Sequence, residues 1–151
     1  IVFCPINNCM YVALPTSNSV IVINCSTNSV VGSIPVGNSP QQLAYNSNNN
    51  RVYSSNIGSS SISVINCSTN SISATVSGVG QCSGITYDSA DNYIYFSIAG
   101  LNSVKSINCS SNTLTTMNIT VGTTPSSLTY NSVSNSIYTA NLTSNNITVI
   151  K

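Results

Sequence analysis

The chain has 151 residues, enough for one domain with a real core, yet only 3% of them are charged against roughly 25% in an ordinary soluble domain. Arg51, Lys105, Lys151, Asp88 and Asp91 are the whole charge inventory, net +1, and no basic run is placed to neutralise phosphates, which excludes nucleic acid as a partner. There is no His, Glu or Trp, so Ser/His/Asp and Cys/His nucleophile systems cannot be assembled, and no apolar run approaches the roughly 20 residues of a membrane-spanning helix.

In place of charge the chain carries 30 Ser, 23 Asn and 15 Thr. Its 41% apolar content argues against disorder, because Val, Ile and Tyr recur at regular spacing. The first predicted strand is Ile1-Val2-Phe3, which matches Leu43-Ala44-Tyr45, Ile85-Thr86-Tyr87 and Leu128-Thr129-Tyr130. Each precedes a polar turn rich in Asn, Asp and Ser, residues that tolerate left-handed backbone and bond their own main chain. A second strand follows around Tyr11, Tyr53, Tyr95 and Tyr138. The third reads Ser19 to Ile23, Ser61 to Ile65, Ser103 to Ile107 and Asn146 to Ile150, and the fourth Ser29 to Val36, Ser71 to Val76 and Thr113 to Val121. Polar–apolar alternation with β-branched enrichment marks half-buried strands, and no segment carries a useful helical period.

These elements repeat. Asn24-Cys25-Ser26, Asn66-Cys67-Ser68 and Asn108-Cys109-Ser110 stand 42 residues apart, as do Tyr11, Tyr53 and Tyr95. Four short strands per repeat of this length predict an all-β β-propeller: about four blades of four antiparallel strands, with the last blade incomplete. A solenoid would need shorter coils and fits the turn clusters less well. The repeats run at about 1–39, 40–81, 82–124 and 125–151, within one propeller domain or part of a larger one.

Tyr11-Val12-Ala13-Leu14, Tyr53-Ser54-Ser55-Asn56 and Tyr138-Thr139-Ala140-Asn141, with the flanking Val36-Gly37…Pro40…Leu43-Ala44-Tyr45-Asn46, resemble the repeat of YVTN-family β-propellers. The resemblance covers nearly the whole chain. Leu14 and Ile98 depart from the motif's Asn, and Cys82 stands where Pro40 and Pro125 stand in their repeats. The resemblance implies an archaeal or bacterial cell-surface propeller used for structure or binding, with no catalytic set to transfer.

Asn-x-Ser/Thr occurs at Asn24, Asn66, Asn108, Asn118, Asn141 and Asn146, the acceptor pattern for N-linked glycan on an exposed loop of a secreted chain. A composition this rich in Asn, Ser and Thr generates several such triplets by chance. Three copies on the same turn follow from repeat duplication as readily as from selection.

The six cysteines lack Cys-x-x-Cys pairs and any His, so a zinc site is not expected. Cys4 and Cys9 flank one hairpin turn, and a disulfide between them is expected, with free thiols as the alternative. Cys25, Cys67 and Cys109 fall on different blades and read as small side chains in turns. Asp88 and Asp91 align with Asn46 and Asn49 and read as turn residues; a Ca²⁺ site built on them would be under-liganded. Gly78-Val79-Gly80 lacks the further Gly and the helix that a phosphate loop needs.

The expectation is a non-catalytic, extracellular structural or adhesive propeller of a surface layer, sheath or filament, without cofactor but N-glycosylated. The alternative is a carbohydrate- or protein-binding module; a segment of a lactonase-like enzyme ranks last. The chain opens at Ile1 inside a strand pattern, and its last repeat stops after a third strand. A piece of a larger chain is therefore expected first. Second comes a partner, another copy or another surface protein, that adds a strand along Asn146 to Ile150.

Overall fold

The computed structural model describes every residue from Ile1 to Lys151. Fifteen strands form four antiparallel sheets, each a meander in which consecutive strands are neighbours. Blade 1 holds β1 (Val2–Cys4), β2 (Cys9–Leu14), β3 (Ser19–Asn24) and β4 (Ser29–Pro35). Blade 2 holds β5 (Pro40–Asn46), β6 (Arg51–Asn56), β7 (Ser61–Asn66) and β8 (Ser71–Ser77). Blade 3 holds β9 (Cys82–Asp88), β10 (Tyr93–Ile98), β11 (Ser103–Asn108) and β12 (Thr113–Thr120). Blade 4 has three strands, β13 (Pro125–Asn131), β14 (Ser136–Asn141) and β15 (Asn146–Ile150). The fold is a β-propeller array of four blades, the last one strand short.

Register repeats with the sequence. Tyr11 faces Val22, Tyr53 faces Val64, Tyr95 faces Ser106 and Tyr138 faces Val149. The first strands β1, β5, β9 and β13 neighbour one another in turn, which makes them the innermost set. The fourth strands are largely exposed and form the rim.

The core lies between blades. Tyr11, Val20 and Val22 of blade 1 pack on Val52, Ile65 and Cys67 of blade 2. Tyr53, Ile62 and Val64 of blade 2 pack with Ile94, Ile107 and Cys109 of blade 3. Tyr95 and Val104 of blade 3 meet Ile137 of blade 4. Alternation sends each strand's side chains to opposite faces, so every internal blade contributes one apolar face to each neighbour. Burying each Val or Ile stabilises the array by roughly 1.5–3 kcal/mol, which removes the need for charge to organise it.

The second and third strands of blades 1 to 3 are joined through one-turn 3-10 helices, Pro15–Ser17, Ile57–Ser59 and Ala99–Leu101, which the strand periodicity does not reveal. Asn18, Ser60 and Asn102 close them in left-handed conformation.

Candidate functional sites: sequon loops, clasps and open faces

The seven four-residue loops that join a first to a second strand or a third to a fourth share one construction. Asn8, Asn28, Asn50, Asn70, Asn92, Asn112 and Asn135 take the last loop position, all with positive φ. Asn accepts that conformation more readily than other residues with a side chain. In six of the loops an Asn or Asp precedes the turn and caps it. Asn24 Oδ1 accepts from the Ser26 and Thr27 amides at 2.8 and 3.2 Å, Asn66 Oδ1 from Ser68 at 2.8 Å, and Asn108 Oδ1 from Ser110 and Ser111 at 2.9 and 3.3 Å. Asn46, Asp88 and Asn131 do the same. Asp88 is thus a buried turn cap whose carboxylate accepts from Ala90 and Asp91 at 2.9 and 3.3 Å, and Asp91 lies exposed beside it.

The sequon asparagines therefore hold turns through their oxygen, while a glycan would attach to their nitrogen. Nδ2 of Asn24 and Asn66 makes no hydrogen bond within the chain, and that of Asn108 donates to Tyr93 Oη at 3.3 Å. Asn118 is exposed on the rim strand β12, and Asn146 is exposed at the start of β15. Asn141 departs from the expectation. It is 2% exposed, and its Nδ2 donates to Asn146 Oδ1 and Thr148 Oγ1, both at 2.9 Å. Both amide protons are used inside the blade, so the folded chain has no acceptor nitrogen there.

Asn141 and its equivalent Asn56 instead act as clasps. Asn56 Nδ2 donates to Ser61 Oγ at 3.2 Å and Ser63 Oγ at 3.0 Å, and its Oδ1 accepts from Ser54 Oγ at 3.3 Å. Each clasp is roofed by a glycine. A Cβ on Gly37 would lie 2.7 Å from Asn56 Nδ2 and from Ser61 Oγ, and one on Gly122 would lie 2.6 Å from Asn146 Oδ1. In blades 1 and 3 the clasp position is Leu14 or Ile98, and the hydroxyl seven residues on becomes Ile21 or Lys105. Ser103, which keeps its hydroxyl opposite Ile98, is buried with no partner. Spacing from Asn56 to Ser61 and Ser63 was the sequence signal for this unit, and it is visible only once the two strands are paired.

A second polar device crosses the junctions. Tyr11 Oη donates to Asn70 Oδ1, and Tyr53 Oη to Asn112 Oδ1 at 2.9 Å, so each tyrosine reaches the left-handed Asn of the next blade. Asn7 Nδ2 donates to Tyr11 Oη at 2.9 Å and to the Cys67 carbonyl at 2.8 Å. Asn49 holds Tyr53 and the Cys109 carbonyl in the same way at 3.5 and 3.3 Å. Desolvation pushes both tyrosine hydroxyls well above their ordinary range.

In the structure all six cysteines are unbonded, Cys4 and Cys9 among them. The two residues do stand opposite each other in the β1–β2 register. Cys9 Sγ, however, donates to the Asn7 carbonyl at 3.2 Å, while the Cys4 thiol packs against Cys67 and Tyr45 of blade 2. Burial, with Cys4 beside it, pushes the Cys67 thiol up to about 12; burial alone does the same for Cys82. Thiols held protonated in this way are poor nucleophiles.

Two apolar surfaces remain open. A groove of about 460 Å³ runs along the innermost strands, lined by Val2, Phe3, Leu43, Tyr45, Ile85 and Tyr87. The second is the free face of blade 4, where Tyr138, Ala140, Ile147 and Leu128 border a shallow hollow and the outer edge of β15 has no neighbouring strand.

No family model and no curated protein sequence matches this chain. Solved structures do resemble it. A Kuenenia stuttgartiensis hydrazine synthase chain superposes with a TM-score of 0.81 at 17% identity, over 98% of this chain and 47% of that one. The structure of U3-55K gives 0.75 at 14% identity, over 99% and 50%. The RRP9 WD40 repeats give 0.75 at 14% identity, over 99% and 49%. At such identities the likeness is one of fold. The chain spans about half the length of these structures.

Proposed function

We propose that this chain is a non-catalytic structural or adhesive propeller module of the YVTN type, displayed outside the cell and carrying N-linked glycans. The observation that carries the reading is the identical presentation of Asn24 and Asn66. Each has its oxygen committed to the turn and its nitrogen free of any bond within the chain. A chain with five charged side chains, one of them the buried Asp88, needs another source of surface hydration, and sugar on Asn24, Asn66, Asn108, Asn118 and Asn146 supplies it. The experiment is intact mass and peptide mapping of the chain secreted from a host with N-glycosylation. Sugar is expected on Asn24 and Asn66 and not on Asn141. A secreted chain with the bare sequence mass would overturn the reading.

A second reading, recognition of carbohydrate or protein at the axial face, is favoured by the groove that Phe3, Tyr45 and Tyr87 line. Aromatic rings give such a groove large apolar contact area at low entropic cost. Saturable binding to a glycan array, lost in Tyr45→Ala and Tyr87→Ala, would select it over the first.

A further inference from the structure

Cys4 holds the position before its hairpin loop that an Asn or Asp fills in the other six, so blade 1 gives up the side-chain oxygen cap there. Pro5 follows it and presets the turn through its fixed φ, which holds the loop without the cap. What the position gains is a thiol at the junction with blade 2. Cys4 is 0% and Cys67 1% exposed, both belong to the cluster that joins the two blades, and the Cys4 side chain lies against Cys67. The next junction shows that this meeting follows from the stacking geometry, because there the equivalent Asn46 lies against Cys109.

The backbone around Cys67 is held from both sides. Its amide donates to the Asn50 carbonyl at 3.2 Å, and its carbonyl accepts from Asn7 Nδ2, in the Cys4 loop, at 2.8 Å. Tyr11 Oη, on the strand after that loop, donates to Asn70 at the end of the Cys67 loop. The other thiols have no counterpart on a neighbouring blade. Cys9 and Cys25 neighbour each other within blade 1, Cys82 sits by Ser55 and the Gly84 carbonyl, and Cys109 sits by Asn46 and Tyr53.

We propose that Cys4 and Cys67 are the site of an inter-blade disulfide, made as blades 1 and 2 dock, with a low-molecular-weight disulfide as the oxidant. The thiolate of one cysteine attacks the S–S bond of the oxidant, forming a mixed disulfide and releasing one thiolate. The thiolate of the other attacks the protein sulfur of that mixed disulfide and releases the second. Two protein thiols are oxidised, the external disulfide is reduced to two thiols, and the two protein thiol protons pass to the released thiolates. Burial of Cys67 in its protonated form slows the exchange once the junction is closed, so the bond is made during folding. It closes a loop longer than one whole repeat, whereas a Cys4–Cys9 bond closes a single hairpin, and the longer loop constrains the unfolded chain more. The titration of Cys67 then belongs to the reduced chain.

The test is to unfold and reduce the purified chain, refold it with reduced and oxidised glutathione, block the remaining thiols with iodoacetamide and digest with trypsin without reduction. Cleavage after Arg51 and Lys105 separates residues 1–51, with Cys4, Cys9 and Cys25, from residues 52–105, with Cys67 and Cys82. The expected product is a linked pair of these two peptides that dithiothreitol separates and whose fragmentation joins Cys4 to Cys67. Cys9→Ser and Cys82→Ser are expected to keep the link, and Cys67→Ser to lose it. The oxidised wild type is expected to unfold at higher urea than the reduced form, with no such difference in Cys67→Ser. The wild-type peptide map decides the matter even where a variant does not fold. A bond confined to residues 1–51, as Cys4–Cys9 would be, overturns the proposal, and so does a refolded chain in which all six thiols are blocked. The readout needs neither sugar nor a secreting host, so it stands apart from the test of glycosylation.

Discussion

Asn56 and Ser63 are joined inside blade 2 by a 3.0 Å hydrogen bond from the Asn amide to the Ser hydroxyl, with both side chains buried. Blade 4 repeats this bond between Asn141 and Thr148, while blades 1 and 3 replace both partners with residues that cannot make it. The motif Asn is therefore a brace between the second and third strands.

Asn56→Leu removes the donor to Ser61 and Ser63 and the acceptor of the fully buried Ser54 hydroxyl, and a buried polar group without a partner costs about 1–3 kcal/mol. Urea unfolding is expected to show a loss of that size. Adding Ser63→Ile, which copies the Leu14 and Ile21 pairing of blade 1, is expected to recover part of it. A double mutant no more stable than the single one would mean that the brace is not the unit.

Gly37→Ala places a Cβ against Ser59 Oγ and 2.7 Å from Asn56 Nδ2. The clasp must open to admit it, and overpacking of this kind costs about 1–3 kcal/mol. Gly100→Ala meets nothing within 4 Å and is the control, expected to leave the melting temperature nearly unchanged. Equal shifts in the two variants would contradict the close approach.

Tyr53→Phe removes the hydroxyl that bonds Asn112 and receives Asn49, in the junction between blades 2 and 3. A net loss of about 0.5–1.5 kcal/mol is expected from one such bond. Tyr138→Phe in the isolated chain is expected to lose nothing under conditions that keep it monomeric, because its hydroxyl has no partner within the chain. Paired thermal melts decide between them.

Stability is expected to depend on pH at the alkaline end. The folded chain holds the Cys67 and Cys82 thiols up to about 12 and the Tyr45 hydroxyl up to about 12, chiefly by burial, against ordinary values of 9.0 and 10.0. Raised acids bind protons more tightly when folded. Their contribution is thus complete below about pH 9 and is lost as pH climbs towards about 12. At the acid end the chain has only two side-chain carboxylates, so the melting temperature is expected to stay nearly level from about pH 7 to about pH 2. A collapse in that acid range, or a flat alkaline limb, would be inconsistent with this distribution of groups.

Much of the architecture was legible in the sequence because it depends on local periodicity. The 42-residue step of Tyr11, Tyr53 and Tyr95 set the repeat, two-residue alternation set the strands, and clusters of Asn, Asp and Ser set the turns, since left-handed backbone favours them. The shortfall of blade 4 was legible for the same reason. What a side chain meets across a junction is decided only when blades stack. Asn141 satisfies the same triplet rule as Asn24, yet tertiary packing spends its amide on Asn146 and Thr148. Cys4 and Cys9 lie near each other in sequence and in register, yet blade 2 supplies the neighbours that hold Cys4, and the loop carbonyl of Asn7 holds Cys9. Burial and the partners of a polar group are properties of the assembled array, so the triplet and the cysteine spacing could state only an opportunity, which the stacking of blades granted at Asn24 and withdrew at Asn141.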